Sequence, residues 1–442
     1  GGSGGISGGG YSGGGGGGGD GALICFIPAA ILYIWSLSQE KAVSRFDELI
    51  ISAPPPPVES MFWNIISLTD RNFSPVLFRD FAYTLFSKVH EARGNQNLDR
   101  FGQFLNSDAR NDLANLSPGV TDVSGVIVGS LRVERMDMTD DRYQAWLVYE
   151  ANYTEHFKEG TAGVYTSQVW GLERNLDVQS DTPDNITAFE CLACGSAFEP
   201  TLEGNCNHCG ELVQPGEYHW TITSVTEKSR ASVGPALTTS VPDVGLHIPT
   251  VRDPNYYQEK DRFKTEHPGF DFRAMTYRFR HIFFELQEAW SQQDLERLRP
   301  FETDNLFQNH SYWVREYQKQ GLRNELGQIR VNKLEVVKIQ SDPFYDAVTC
   351  RIFASMTDCT RWNNGFIACG SPAIPKHFSE YWTFIRGRGA PENTHNDANC
   401  PNCGAVLKIN MAGECEFCDS KLTSGQFDWV LSEIQQDEKY GG

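Results

Sequence analysis

Hydrophobic and polar positions divide the chain into stretches of different kinds. Residues 1–20 are almost wholly glycine. They offer no side chains for a core, so a flexible tail is expected. Residues 21–39 carry no charge, and 22–37 are apolar. A helix of that length spans roughly 24 Å, against a hydrocarbon core of roughly 30 Å. Gly21 and Ser38 extend it, and Tyr33 and Trp35 suit an interfacial belt. The alternatives are a buried core helix or a signal-like segment. A glycine tail on one side and a proline linker (40–60) on the other leave no core to bury it, so a membrane helix is the favoured reading. The stretch Pro54–Pro57 within that linker is a stiff spacer. Beyond it, apolar residues recur at three and four over 78–90 and 272–290, as amphipathic helices require. Each is followed by a second helical segment, 98–113 and 295–317. Alternating Val, Leu, Tyr and Trp then predict strand pairs at 127–135 with 143–153 and 331–340 with 345–356. Helices followed by antiparallel strands make an α+β layout.

The second half repeats the first. Cys191-x-x-Cys194, eleven residues, then Cys206-x-x-Cys209 has the spacing of Cys400-x-x-Cys403, eleven residues, then Cys415-x-x-Cys418. Gly216 and Trp220 follow the first set as Gly425 and Trp429 follow the second, and Trp170 with Arg174 precedes as Trp382 with Arg386 does. The halves are therefore two domains, 61–235 and 263–437, joined by a linker at 236–262. Each contains a ribbon, 189–212 or 398–421, set between its last two strands. Two paired thiol knuckles in a long chain indicate metal ligation rather than a disulfide framework. Four thiolates form a closed tetrahedral site, so two structural zinc ions are expected and no catalysis is assigned to them.

Composition and charge narrow the partners. The formal charge is −19, which repels phosphate backbones, so nucleic acid is not an expected partner. Lys41 and Arg45 follow the apolar stretch and Asp20 precedes it. That places the glycine tail outside and the domains on the cytoplasmic side, where thiols stay reduced. Cys350 falls on the apolar face of a strand, and Cys359 and Cys369 flank a hairpin-like turn at 361–365; free thiols are expected for all three. His90, Asp137, His281 and Asp346 are the polar groups open to an acid–base role, but they do not occupy matching positions in the two halves. No phosphate loop, nucleophile elbow or zinc-protease motif occurs. The chain is not expected to be an enzyme.

The text of the second half from Phe284 to Phe301, FELQEAWSQQDLERLRPF, is similar to the C-terminal domain of the mitochondrial import-motor tether (translocase of the inner membrane, subunit 44). The resemblance covers 61–235 and, more clearly, 263–437. It implies two tandem nuclear transport factor 2-like domains, cones of helices closed by a curved antiparallel sheet, with the ribbons as additions. Bacterial relatives combine a glycine-rich N-terminus, one span and such a domain, which implies an inner-membrane location. The expected function is a membrane-anchored, zinc-stabilised scaffold or accessory subunit that docks partner proteins at a membrane complex. The alternative is a carrier for a lipid or other hydrophobic ligand. No reaction is implied.

Overall fold

The computed structural model describes residues 58–94, 97–180, 208–209, 219–232, 234, 237–238, 245–391 and 398–442. Among these, no helix is long and apolar enough to cross a membrane. The expected span at 21–39, the glycine tail and most of the first ribbon lie outside the described residues.

The fold is α+β, with two units of like element order, the second having one extra short helix. The first runs α1 (Val58–Thr69), α2 (Pro75–Gly94), a 3-10 turn (Leu98–Phe104), α3 (Ser107–Asn115), then β1 (Asp122–Met138), β2 (Arg142–Phe157), β3 (Gly160–Asn175) and β4 (Thr221–Ala231). The second runs α4 (Tyr256–Glu266), α5 (Phe272–Gln292), α6 (Leu295–Leu298), a 3-10 turn (Arg299–Phe301), α7 (Asp304–Lys319), then β5 (Leu322–Ser341), β6 (Tyr345–Trp362), β7 (Ile367–Gly387) and β8 (Val430–Gln436). Each set of strands forms a four-stranded antiparallel meander, β1-β2-β3-β4 and β5-β6-β7-β8. This is consistent with the expected pair of nuclear transport factor 2-like units.

Two expectations need correction. The helical segments predicted at 98–113 and 295–317 are each broken. In the first, Leu105 bridges Ile222 of β4, and the Asn106 amide donates to the Ile222 carbonyl at 3.1 Å. In the second, Glu302 bridges Leu431 of β8, and the Thr303 amide donates to Leu431 at 3.0 Å. An extended residue pinned to the last strand interrupts the helical bonding, and a new helix starts after it. The Asn106 side chain caps α3 by accepting from the Ala109 amide. The first strands are also longer than their alternation suggested. β1 and β5 each carry three register shifts against their partners, at corresponding places. Bulges break the two-residue period and bend the strand, which curves both sheets around their helices.

Similar contacts recur in the two units. Arg79 of α2 donates to the Leu131 carbonyl at 3.0 Å, and Arg280 of α5 donates to Val331 at 3.1 Å. Phe78 lies 5.1 Å from Trp220, and Phe279 lies 5.4 Å from Trp429. Both interiors are filled by aromatic side chains. Phe86 packs at 4.5 Å from Tyr149 and 4.8 Å from Trp170, while Phe279 stacks on Phe384 at 3.8 Å and Phe283 meets Trp382 at 5.0 Å.

The units meet along a continuous seam. Tyr345, Ile385 and Val430 of the second unit join the apolar core of the first. Polar bonds flank this contact: Asn305 to Asp80 at 2.8 Å, Asn309 to the Val128 carbonyl at 3.3 Å, and Ser74 to Asp342 at 2.6 Å. Arg79 sits between Glu59 of its own unit and Glu433 of the other.

Candidate metal centre

The sequence between β7 and β8 has little apolar content, and it folds as two short knuckles. Cys400 donates its amide to Ala405, and Gly404 returns one to Cys400; Cys415 pairs likewise with Ser420, and Asp419 with Cys415. Turning the chain so sharply needs a left-handed residue after the second cysteine of each knuckle. These are Gly404 (φ 74°) and Asp419 (φ 57°), a glycine and a residue whose short polar side chain tolerates that region.

The turns bring Cys400, Cys403, Cys415 and Cys418 together, with all four sulfurs within 4.8 Å of one another. Cys400 Sγ is 3.8 Å from Cys418 Sγ, and Cys403 Sγ is 3.9 Å from Cys415 Sγ. A disulfide holds its sulfurs at roughly 2 Å, so none is formed. A tetrahedron with metal–sulfur bonds of about 2.3 Å has edges of roughly 3.8 Å, which is the separation found. Backbone amides support the sulfurs as acceptors: Ala405 bonds Cys403, and Phe417 and Cys418 bond Cys415. The Ser420 hydroxyl and the Asn402 amide lower the Cys418 thiol, while the neighbouring thiols raise Cys403 and Cys415, a crowding that a bound cation would relieve. Cys400 and Cys415 are buried with Leu422 in a small core of their own, beside Leu407, Ile409 and Phe427. The donor set and its geometry fit one metal ion.

The ribbon is bound to its own unit by charge. Arg299 is 1% exposed, lies 4.6 Å over the Phe307 ring, and donates to Met411 at 2.9 Å and to Glu302 at 3.0 Å. It also pairs with Asp304, at the first turn of α7. Lys421, three residues past Cys418, reaches both oxygens of Asp304, at 2.9 and 2.7 Å. Gly413 (φ 81°) lies against this cluster, where a Cβ would overlap Thr423 Oγ1 and the Arg299 guanidinium. Nothing in the sequence pointed to Arg299, Asp304 or Lys421, because their meeting depends on the fold.

Of the first cysteine set, Cys191, Cys194 and Cys206 lie outside the described residues, and Cys209 is exposed. Cys350 is fully buried, and burial pushes its thiol up, as expected of an inert core residue. Cys359 is buried and pairs in register with Gly370, and Thr360 pairs with Cys369. The four polar candidates do not come together. His90 is fully buried and 3.1 Å from Gln168, while Asp346 is fully buried in the other unit and 3.3 Å from Arg386. Asp137 pairs with Arg135 on the surface, and His281 is exposed beside Phe301. A buried acid–base pair that had no sequence signal does form, Glu302 with His310.

The comparisons bear on the second unit. Residues 258–396 match the family model of the Tim44-like domain. The Tim44-like segment takes in α4 through β7 and stops just short of Cys400, so the ribbon and β8 lie beyond it. This agrees with the clearer resemblance of the second half. No curated protein matches the chain.

Proposed function

We propose that the protein is a zinc-braced scaffold that docks partner proteins, built of two tandem nuclear transport factor 2-like domains and held at a membrane by the apolar stretch at 21–39. The observation that carries the scaffold reading is how the second unit distributes its apolar side chains. Its interior is filled, with Trp382, Phe279 and Phe384 fully buried. On its outside, the ribbon exposes Val406 (68%), Met411 (49%) and Phe417 (59%). A carrier needs the reverse, an apolar hollow. The cleft of about 320 Å³ at the seam is lined by Arg71, Arg262, Arg388 and Asp253 as well as by Trp63 and Phe73, a mixed lining rather than an apolar hollow.

The second ribbon would hold its ion through Cys400, Cys403, Cys415 and Cys418. The first would hold another through Cys191, Cys194, Cys206 and Cys209, on the strength of the shared spacing. Zinc there supplies only cross-linking, since four thiolates leave no open position. No reaction is assigned to the chain.

The test is purification of the full chain from membranes in mild detergent, with metal analysis and mass spectrometry of what stays bound. About two zinc ions per chain and stoichiometric protein partners are expected. A Phe417→Ser variant should keep its zinc and lose partner. Stoichiometric iron, or no metal, overturns the zinc reading. A lone chain carrying one defined lipid overturns the scaffold reading.

A further inference from the structure

The second ribbon and the seam between the units share one charged residue. Asp304 begins α7, and the next residue, Asn305, donates to Asp80 of α2 across the seam at 2.8 Å. Two carboxylates, Asp304 and Asp80, therefore flank the junction of α7 with α2, and burial, with Asp304 adding to it, raises the Asp80 carboxyl. Such a pair is repulsive and half-buried, and needs cations. Arg299 is one, held by the Glu302 carbonyl of its own helix turn and by the Met411 carbonyl of the ribbon. Lys421 is the other, and its place depends on the ribbon. The Glu414–Lys421 bridge, the Leu422-to-Gly413 bond at 2.9 Å and the Cys415-to-Ser420 bond at 3.0 Å hold the segment that carries it. Its ammonium also donates to the Ala412 carbonyl. These bonds belong to the knuckle that presents Cys415 and Cys418 to the metal. The ribbon has only a small core of its own, Cys400, Cys415 and Leu422, and a domain of that kind gains much of its stability from a bound metal.

We propose that the second ribbon is a metal-dependent latch on the seam: metal binding at its four cysteines seats Lys421 on Asp304 and so steadies the contact of α7 with α2, and metal loss loosens the two units. This rests on the zinc reading of the ribbon. It makes metal occupancy a control on how firmly the two units of the scaffold hold together, in addition to bracing the ribbon itself. The geometry gives the direction of the effect. Withdrawing Lys421 leaves Asp304 and Asp80 with one cation fewer at the start of α7, beside the Asn305 bond to Asp80.

Hydrogen exchange of the full chain, read by mass spectrometry, tests it. Three samples are compared: the zinc-loaded chain, the chain after chelation, and Lys421→Met with its zinc content measured. The latch predicts that both chelation and Lys421→Met speed exchange in the first half of α2 and the first turns of α7, roughly fivefold, the factor that about 1 kcal/mol supplies. Lys421→Arg should restore the parent pattern. If Lys421→Met keeps full zinc and leaves α2 and α7 as protected as in the parent, the latch is overturned while the zinc reading stands. If the purified chain holds no zinc and takes none up, the zinc reading fails on metal content alone, and the metal control fails with it.

Discussion

Arg174 and Arg386 occupy the same place in the two units, yet the carboxylates that hold them come from different elements. Arg174 lies 5.2 Å over Trp220, and Arg386 lies 5.1 Å over Trp429. Each arginine ends the strand that leads out to the inserted segment, and each tryptophan begins the strand that returns from it. In the first unit the anion is Asp70, at the end of α1, 2.8 Å from Arg174 and also bonded by the Ser180 amide at 3.0 Å. In the second the anion is Asp346 of β6, in register beside Arg386 and 3.3 Å from it. His267, which precedes α5 as Asp70 precedes α2, is 3.3 Å from the same Asp346. The cation–tryptophan stack must sit where the two strands meet. A buried cation, in contrast, can take its anion from any element that reaches it.

The largest expected effect breaks this pair of staples. Arg174→Leu strands Asp70 and Arg386→Leu strands Asp346, both fully buried. Each should cost about 3–5 kcal/mol, because an uncompensated buried charge remains. Urea unfolding of the full chain measures it. Restoring neutrality with Arg386→Leu plus Asp346→Asn should recover part of the loss. A cost below about 1 kcal/mol for either single variant would mean that neither the ion pair nor the cation–tryptophan stack holds the strand ends.

How much of this was legible in the sequence follows from the range of each interaction. The second cysteine cluster was readable from spacing alone, since knuckle geometry is local. Trp220 with Trp429 and Arg174 with Arg386 were readable as matched text, but not as contacts. That Asp346 supplies the anion beside Arg386, where Asp70 does so beside Arg174, was not readable, because the charge moved from a helix end to a strand. The helix breaks at Leu105 and Glu302 were hidden for the same reason: their partners, Ile222 and Leu431, lie more than a hundred residues away. The long first strands were clipped because bulges shift the alternation that marks a strand. Arg299, Asp304 and Lys421 carried no pattern at all.

The second effect contrasts two left-handed glycines of the ribbon. Gly404 (φ 74°) has nothing within 4 Å of where a Cβ would stand, while a Cβ on Gly413 (φ 81°) would overlap Thr423 and Arg299. Gly404→Ala should therefore cost only the backbone strain, about 1 kcal/mol. Gly413→Ala adds a steric clash at the anchoring cluster and should cost about 2–3 kcal/mol. Thermal unfolding of the zinc-loaded chain compares them. Equal losses would show that Arg299 swings aside freely and that the ribbon is not anchored through it.

The smallest effect separates the units by pH. Asp80 and His281 hold corresponding positions on α2 and α5, given the match of Phe78 with Phe279, but only Asp80 faces the seam. Burial, with Asp304 adding to it, raises the Asp80 carboxyl to about 6, from an unfolded value of about 3.9. The folded chain therefore binds the proton more tightly than the unfolded one. The stability this contributes is fully present below about pH 4 and is lost as pH rises through 6. Asp80→Asn keeps an oxygen for Asn305 and removes the charge. It should stabilise the chain above pH 6, by about 1 kcal/mol after allowing for partial exposure, and the difference should vanish by about pH 4. His281→Asn, on the open face of α5, should move stability by no more than about 0.5 kcal/mol. Chemical unfolding at pH 4, 6 and 8 reads all three chains. A gain from Asp80→Asn that is the same at every pH would mean that the carboxyl is no more strained at the seam than in water, and that Lys421 and Arg299 already neutralise both carboxylates in full.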